Sequence, residues 1–337
     1  MGEQCSIIMK QRSVLFISKG EQASSTRYRA LNYFPLLRDH GWEPQHLTDD
    51  KTSASQRNIL RAAAGADAVV VLRRTPGWLY GLRLRRASKR LVFDFDDAIF
   101  VPRSGRFSQR PARFRRIVKH CDHVWAGNSY LADEARRFSS NVSVLPTSIE
   151  IDRYHPINEK PGIETVLVWI GSRSTKKYLV DVLPLLENAS TTIKNLRLKA
   201  IADFDLHSEV LPIDNIPWSL ARETMELASS TIGIAPMTND LWTRGKCGLK
   251  VLQYMASGLP VITSPYGVNR DLVEEGKTGF HAVSGQQWLD AIHTLATDPT
   301  LAATMGAAGR HKCESEFTLQ VTFKKLLHTL ESGNTAR

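Results

Sequence analysis

The sequence predicts an α/β chain of two doubly wound domains, and three observations carry that prediction. Its 337 residues fit two domains at roughly 100–200 residues each. Short continuous apolar runs alternate with helical patterns in both halves, which is how parallel strands covered on both faces read. A polar stretch with two prolines, residues 149–162, separates the halves and reads as a linker. With 42% hydrophobic and 23% charged residues, the chain can bury a sizeable core unaided, and the composition excludes a disordered, collagen-like or disulfide-scaffold protein.

In chain order, residues 14–17 (Val-Leu-Phe-Ile) read as a buried strand, followed by a polar loop at 18–25 and a helix over 26–40 that Gly41 ends. Further strands are expected at 68–72, 91–95, 123–126 and 142–145. In the second half they are expected at 165–170, 196–201, 231–235 and 260–263. The predicted division is 1–155, 156–315, and a C-terminal helix within 316–337 expected to pack back on the first domain. In doubly wound sheets ligands bind beyond the carboxyl ends of the strands.

Cys5, Cys121, Cys247 and Cys313 form no C-x-x-C pair and have no zinc spacing, so free thiols in a reducing cytosol are expected. No run of 18 apolar residues exists and the N-terminus lacks a signal-peptide apolar region. Charge is uneven: residues 1–155 hold 26 Lys and Arg against 15 Asp and Glu, a net +11, whereas the remainder hold 18 against 19. Such asymmetry points to one domain that meets something acidic.

Two segments carry anion chemistry. After the strand at 165–170, Gly171 to Lys177 forms a turn of small residues and cations that leads into a helix. Glycine lets a ligand approach the backbone, the helix start favours an anion, and Arg173 and Lys177 could neutralise a diphosphate; a capped loop with solvated cations reads the same. Residues 244–263 read RGKCGLKVLQYMASGLPVIT. A glycine loop opens a helix, Gly258-Leu259-Pro260 closes it, and a strand follows at once. Lys246 and Lys250 stand at the mouth of this helix, with Lys246 the preferred diphosphate partner beside the Cys247 and Gly248 amides.

This segment resembles the nucleotide-sugar signature of the retaining glycosyltransferases of family four, the "glycosyl transferases group 1". Residues 267–273, 276–280 and 305–310 resemble the family's later blocks, and 24–37, 126–131, 145–149 and 154–156 its earlier ones. The resemblance implies the GT-B fold, two doubly wound Rossmann-like domains facing a central cleft, with acceptor on the N-terminal side and nucleotide-sugar on the C-terminal side. It also implies donor-binding roles for Gly171, Arg173, Lys177, Lys246, Gly248, Lys250 and Gln253. The chain departs from the family at both signature glutamates, which are Gly245 and Gln253 here. Gln253 can still bond ribose hydroxyls; Gly245 offers no side chain to the sugar.

Residues 93–97 read Phe-Asp-Phe-Asp-Asp. Carboxylates at a strand end are costly unless used or paired. By order along the chain, Asp96 and Asp97 match a His-Asp pair of related enzymes that faces the donor sugar. They are the catalytic candidates, to hold sugar hydroxyls, orient the acceptor or act as its base; a helix cap or salt bridges to nearby arginines is the other reading. Residues 73–116 hold 13 Lys and Arg and only three acids. The basic runs from Arg83 to Arg116, with Leu82, Phe107 and Phe114 among them, suit an anionic membrane surface, a phosphorylated saccharide or nucleic acid. Gly20, Arg27 and Asn128 are candidates on the acceptor or phosphate side, with Arg29 beside them either reaching the ligand or exposed.

The resulting expectation is a glycosyltransferase that moves a sugar, with retention, from a nucleotide-sugar to a saccharide, phosphorylated or lipid-linked acceptor in cell-envelope polysaccharide or glycolipid synthesis. It would be cytoplasmic, peripheral on the inner membrane face, with no cofactor, no metal and no nucleic-acid partner. An epimerase of the same fold and a non-catalytic nucleotide-sugar-binding relative are the alternatives.

Overall fold

The computed structural model describes residues 11–102, 108–157 and 164–332. Cys5, Arg103, Arg106 and Phe107 lie outside them. The chain divides into two compact units, Met1–Leu145 with Phe323–Arg337, and Pro146–Thr322.

The first unit is built on β1 (Arg12–Ser18), β2 (Trp42–Thr48), β3 (Ala68–Leu72), β4 (Leu91–Phe95), β5 (His123–Ala126) and β6 (Val142–Val144), in the order β2-β1-β3-β4-β5-β6. Every pair is parallel, so all carboxyl ends share one edge. The order reverses at β1, and right-handed crossovers then put helices Ser53–Gly65, Trp78–Ala87 and Arg110–His120 on one face. The predicted helix over 26–40 is broken into Ser24–Arg29, a 3-10 turn Leu31–Tyr33 and Phe34–Asp39. Pro35 has no N–H to give a preceding turn and so starts a new helix instead of continuing one. Phe114 belongs to the core: its ring lies 5.1 Å from Phe95 and 5.0 Å from Phe100. The C-terminal residues close over the same unit, with Phe323 stacked on Tyr33 at 6.3 Å and Trp125 Nε1 donating to Thr329 Oγ1 at 2.8 Å.

The second unit repeats the plan with β7 (Thr165–Ile170), β8 (Leu196–Ala202), β9 (Ile213–Pro217), β10 (Ile232–Ala235), β11 (Val261–Thr263) and β12 (Gly279–His281), in the order β12-β11-β10-β7-β8-β9, all parallel. Its reversal lies at β7 and β10. Leu167 and Trp169 face one buried cluster and Val168 and Ile170 the other, so the unbroken apolar run of β7 reflects burial on both faces. The linker contributes to this unit: Tyr154 is buried and its hydroxyl donates to Glu223 at 2.7 Å.

Candidate functional site

At the reversal point of the second sheet, β7 and β10 pair only through Leu167–Ile232 and Val168–Gly233 and then part. Tyr254, on helix Leu249–Ala256, spans the opening. Its hydroxyl accepts from the Ile170 N–H at 2.9 Å and donates to the Ile234 carbonyl at 3.2 Å. Gly233 is what admits the ring, since a Cβ there would overlap it. The strand ends are thus held apart by a satisfied hydroxyl, and the loops after them are free to meet a ligand.

Lys250 sits beside this device. Its Nζ lies 4.1 Å from the centroid of the buried Trp169 ring, and no hydrogen-bond or ion-pair partner meets it among the described residues. Burial, together with the positive charge of Lys246, pulls its ammonium down to about 7. A half-buried cation beside another cation, with no anion assigned to it, is an electrostatic arrangement that an anionic ligand completes. The glycines beside it are needed for tight packing of the turn and the helix start. A Cβ on Gly171 would overlap the Trp169 indole and come within 2.8 Å of Thr175 Oγ1, and Gly248 takes a left-handed φ of 68° as it opens the helix with no side-chain cap. Gln253 is buried on that helix and Lys246 packs over Trp242 at 5.2 Å.

The remaining predicted cations take two other directions. Lys177 lies over Tyr178 at 4.7 Å and helps hold the Asp240 carboxyl below the usual range; burial would raise that carboxyl, but the Thr243, Thr238 and Trp242 donors and Lys177 outweigh it. Arg173 is fastened to the end of β8: its N–H donates to Asp203 Oδ1 at 2.8 Å and its Nε to the Asp203 carbonyl at 3.3 Å. With Lys176, Phe204, Asp205 and Pro217 it lines a cavity of about 660 Å³. Lys176 crosses it, 4.6 Å over the Phe204 ring and 3.3 Å from the Asp205 carbonyl. An aromatic ring with two cations and exposed carboxylates around it suits a planar, polar ligand once Lys176 moves aside. The signal was present in Ala-Asp-Phe-Asp directly after a strand, at a carboxyl end, and went unread.

In the first unit the carboxylates separate by depth. Asp94 is 1% exposed and turned inward, paired with the equally buried Arg29, whose Nη1 also donates to the Leu145 carbonyl at 2.7 Å. Arg29 is therefore a core residue, neither reaching a ligand nor exposed. Asp96 is half-buried just past the strand's end and Asp97 is buried beside it, and Arg73 joins them. Its guanidinium pairs with Asp97, and its Nε lies 3.2 Å from Asp96 Oδ1. Arg73 takes a left-handed φ of 53°, with its N–H on the Asp94 carbonyl at 2.8 Å. Asp96 Oδ1 is buried, with the Arg73 guanidinium as its ion-pair partner and no aligned hydrogen bond among the described residues. Arg74, whose Nη2 donates to the Asp49 carbonyl at 2.7 Å, extends the row.

Gly20 has a φ of 129° and its N–H donates to Ser18 Oγ at 3.0 Å, in the loop after β1. Arg27 is half-buried beside Tyr28, 6.0 Å from its ring. Asn128 caps helix Ser129–Arg136 through Oδ1, which accepts the Leu131 N–H at 2.9 Å. Much of the basic arc is structural as well: Arg85 pairs with Asp122 at 3.0 Å, Lys89 with Asp67 at 2.8 Å, and Arg90 donates to the Thr329 carbonyl.

Residues 164–298, within the second unit, match the family model described as Glycosyl transferases group 1. Spore coat protein SA of Bacillus subtilis is 35% identical over 82 residues, 23% of this chain and 22% of that protein; the chain thus spans about a fifth of the length of the curated relative it matches. A glycosyltransferase structure from Rickettsia africae superimposes with a TM-score of 0.75 at 14% identity, covering 97% of this chain and all of the other. Anabaena HepE in complex with UDP and glucose does so at 0.69 and 16%, covering 95% and 100%. Likeness at these identities establishes the fold, which is GT-B.

Proposed function

We propose that this chain, whose residues 164–298 match the glycosyl transferases group 1 family, is a glycosyltransferase that takes its sugar from a nucleoside-diphosphate donor. The observation that carries this reading is Lys250, a half-buried cation on Trp169 with no hydrogen-bond or ion-pair partner among the described residues, beside a second cation, Lys246. In the proposal Lys250 and Lys246 meet the diphosphate, with Gly171, Gly248 and Lys177 around it. Gln253 bonds the ribose. Arg173, Lys176 and Phe204 line the base side. Negative charge grows on the diphosphate as the glycosidic bond to the donor breaks, and fixed cations stabilise it where it develops. No metal enters the reading, because Lys250, Lys246 and Lys177 supply that charge.

Asp96 is proposed to accept a hydrogen bond from the acceptor hydroxyl, or from the sugar, while Arg73 fixes its position and that of Asp97. Retention, a saccharide, phosphorylated or lipid-linked acceptor, and a role in cell-envelope polysaccharide synthesis belong to this proposal. HepE, one of the structural neighbours, was solved with UDP and glucose, which supports a uridine nucleotide as the first donor to try.

A second reading is favoured by Gly245: where the family carries a sugar-contacting glutamate, this chain has no side chain. A non-catalytic nucleotide-sugar binder would follow. One experiment separates the two. Thermal stabilisation by UDP and UDP-sugars should appear in the wild type and weaken in Arg173→Ala and Lys246→Ala, because a ligand stabilises by mass action. Unchanged stabilisation in both variants would sink the donor site. Asp96→Asn should keep that stabilisation and lose transfer to acceptor; stabilisation without turnover in the wild type would select the non-catalytic reading.

A further inference from the structure

Helices Ser53–Gly65, Trp78–Ala87 and Arg110–His120 lie side by side on one face of the first sheet, each packed on the next. Together they carry ten Lys and Arg and no acidic residue. The following helix, Ser129–Arg136, is different: its Asp133 and Glu134 pair with Arg136 and Arg137. Within the three helices, Arg85 and Arg115 are engaged by Asp122 and the Phe138 ring. Arg57, Arg61, Arg83 and Arg86 are exposed and have no acidic partner among the described residues.

The middle helix adds apolar anchors. At 3.6 residues per turn, Trp78, Leu82, Arg86, Leu79 and Arg83 fall in that order on one side of the helix, opposite the buried Leu84. Trp78 is 63% exposed and Leu79 55%. A tryptophan and a leucine standing out of a surface of unpaired arginines combine two kinds of affinity. The rings and methyls favour the boundary between headgroups and acyl chains, and the guanidiniums favour lipid phosphates.

We propose that this face docks the protein on an anionic lipid bilayer, with Trp78 and Leu79 entering the headgroup layer and Arg57, Arg61, Arg83 and Arg86 on the lipid phosphates. The charge complementarity and the paired anchors select a bilayer over nucleic acid, whose phosphates would use the arginines and leave Leu79 in water. Docking does not depend on the transferase reading. What rests on that reading is the class of acceptor. Trp78 begins the helix that follows β3, on the carboxyl edge that also carries Arg73, Asp96 and Asp97. A lipid-linked acceptor in the same bilayer would be delivered to that edge.

The test uses the full chain and vesicles of phosphatidylcholine, alone or mixed with phosphatidylglycerol, with binding measured by co-sedimentation. Wild-type protein should bind the mixed vesicles and leave the neutral ones. Trp78→Ser/Leu79→Ser should lose most binding. Arg83→Gln/Arg86→Gln should lower the partition coefficient roughly 30-fold, from about 1 kcal/mol per charge near the surface at 1.4 kcal/mol per tenfold. All four side chains are exposed or half-buried, and unchanged melting and unchanged stabilisation by UDP would certify each variant's fold. Equal binding to neutral vesicles, wild-type binding by the Trp78→Ser/Leu79→Ser variant, or displacement of the protein from vesicles by duplex DNA would each overturn the proposal. Vesicle binding that persists in a protein UDP does not stabilise would leave docking standing and remove the donor reading; the converse result would do the opposite.

Discussion

Replacing Lys250 with methionine should make the free protein more stable and its nucleotide binding weaker. Methionine keeps the chain length and a favourable contact with the Trp169 ring, while the uncompensated charge disappears. The size follows from the ammonium's displacement from 10.5 to about 7, caused by burial and by Lys246. At 1.36 kcal/mol per pH unit the ceiling is about 5 kcal/mol; the group is half-buried, and solvent screening reduces the expectation to about 2 kcal/mol. The sign is fixed by linkage. The unfolded chain binds this proton more tightly than the folded one, so the penalty is fully present below about 7. It fades as pH rises toward 10.5. Denaturant unfolding of both proteins near pH 6 and again near pH 10 should therefore show a gain for Lys250→Met that shrinks at the higher pH. Calorimetric titration with UDP in the wild type should show proton uptake above neutral pH, because a bound diphosphate holds Lys250 charged, and affinity should fall as pH rises past 7. The variant should bind more weakly and take up no such proton. A variant less stable than wild type near pH 6, or one with unaltered UDP affinity, would refute the reasoning.

The buried and bridging groups give three further expectations. Arg29→Met strands Asp94 inside the first unit and should cost about 3–5 kcal/mol by urea unfolding; the double variant Arg29→Met/Asp94→Leu should recover much of it, and a single variant as stable as wild type would contradict the pairing. Tyr254→Phe leaves the Ile170 N–H without its acceptor and should cost about 1–3 kcal/mol, measured the same way, with faster amide exchange at Ile170 as the local signature. Gly171→Ala places a methyl against Trp169 and Thr175 and should cost about 1–3 kcal/mol from overpacking while weakening stabilisation by UDP; a silent substitution would show that the turn is looser than its geometry.

Central strands were readable because burial on both faces makes their sequence continuously apolar. The three strands that the pattern did not show, Trp42–Thr48, Ile213–Pro217 and Gly279–His281, are all at sheet edges. There one side is unpaired or solvated, polar residues and prolines such as Pro44 and Pro217 are tolerated, and the apolar signal is diluted. The helix over 26–40 had the right periodicity, and the break at Pro35 is a backbone effect that hydrophobic pattern does not register. At the candidate site, the sequence pattern singled out Lys246, Lys250, Gly171 and Gly248 because glycines and cations at the start of a helix suit an anion, though solvated cations in a capped loop read the same. The parts played by Trp169 and Tyr254 were not legible, since an aromatic residue on a core strand or helix gives no sign that a cation stacks on it or that its hydroxyl bridges two strands.

Asp94, Asp96 and Asp97 show where the division falls. The order of the chain alone determined that carboxylates crowd the end of a central strand, that basic residues fill the helices around it, and that glycine loops open helices in the second half. Depth and partner were decided by the tertiary structure. The period-two alternation of β4 sends Asp94 inward, where the Arg29 guanidinium, from a helix 65 residues earlier, compensates it. Asp96 and Asp97 pass the strand's end and meet Arg73 from β3's loop. The basic arc divides in the same way: Arg85, Lys89 and Arg90 turn to Asp122, Asp67 and the Thr329 carbonyl, while Arg83 and Arg86 stay outward beside Trp78 and Leu79. Composition counts charges equally, and only packing distinguishes a charge that holds the fold from one left over for a partner.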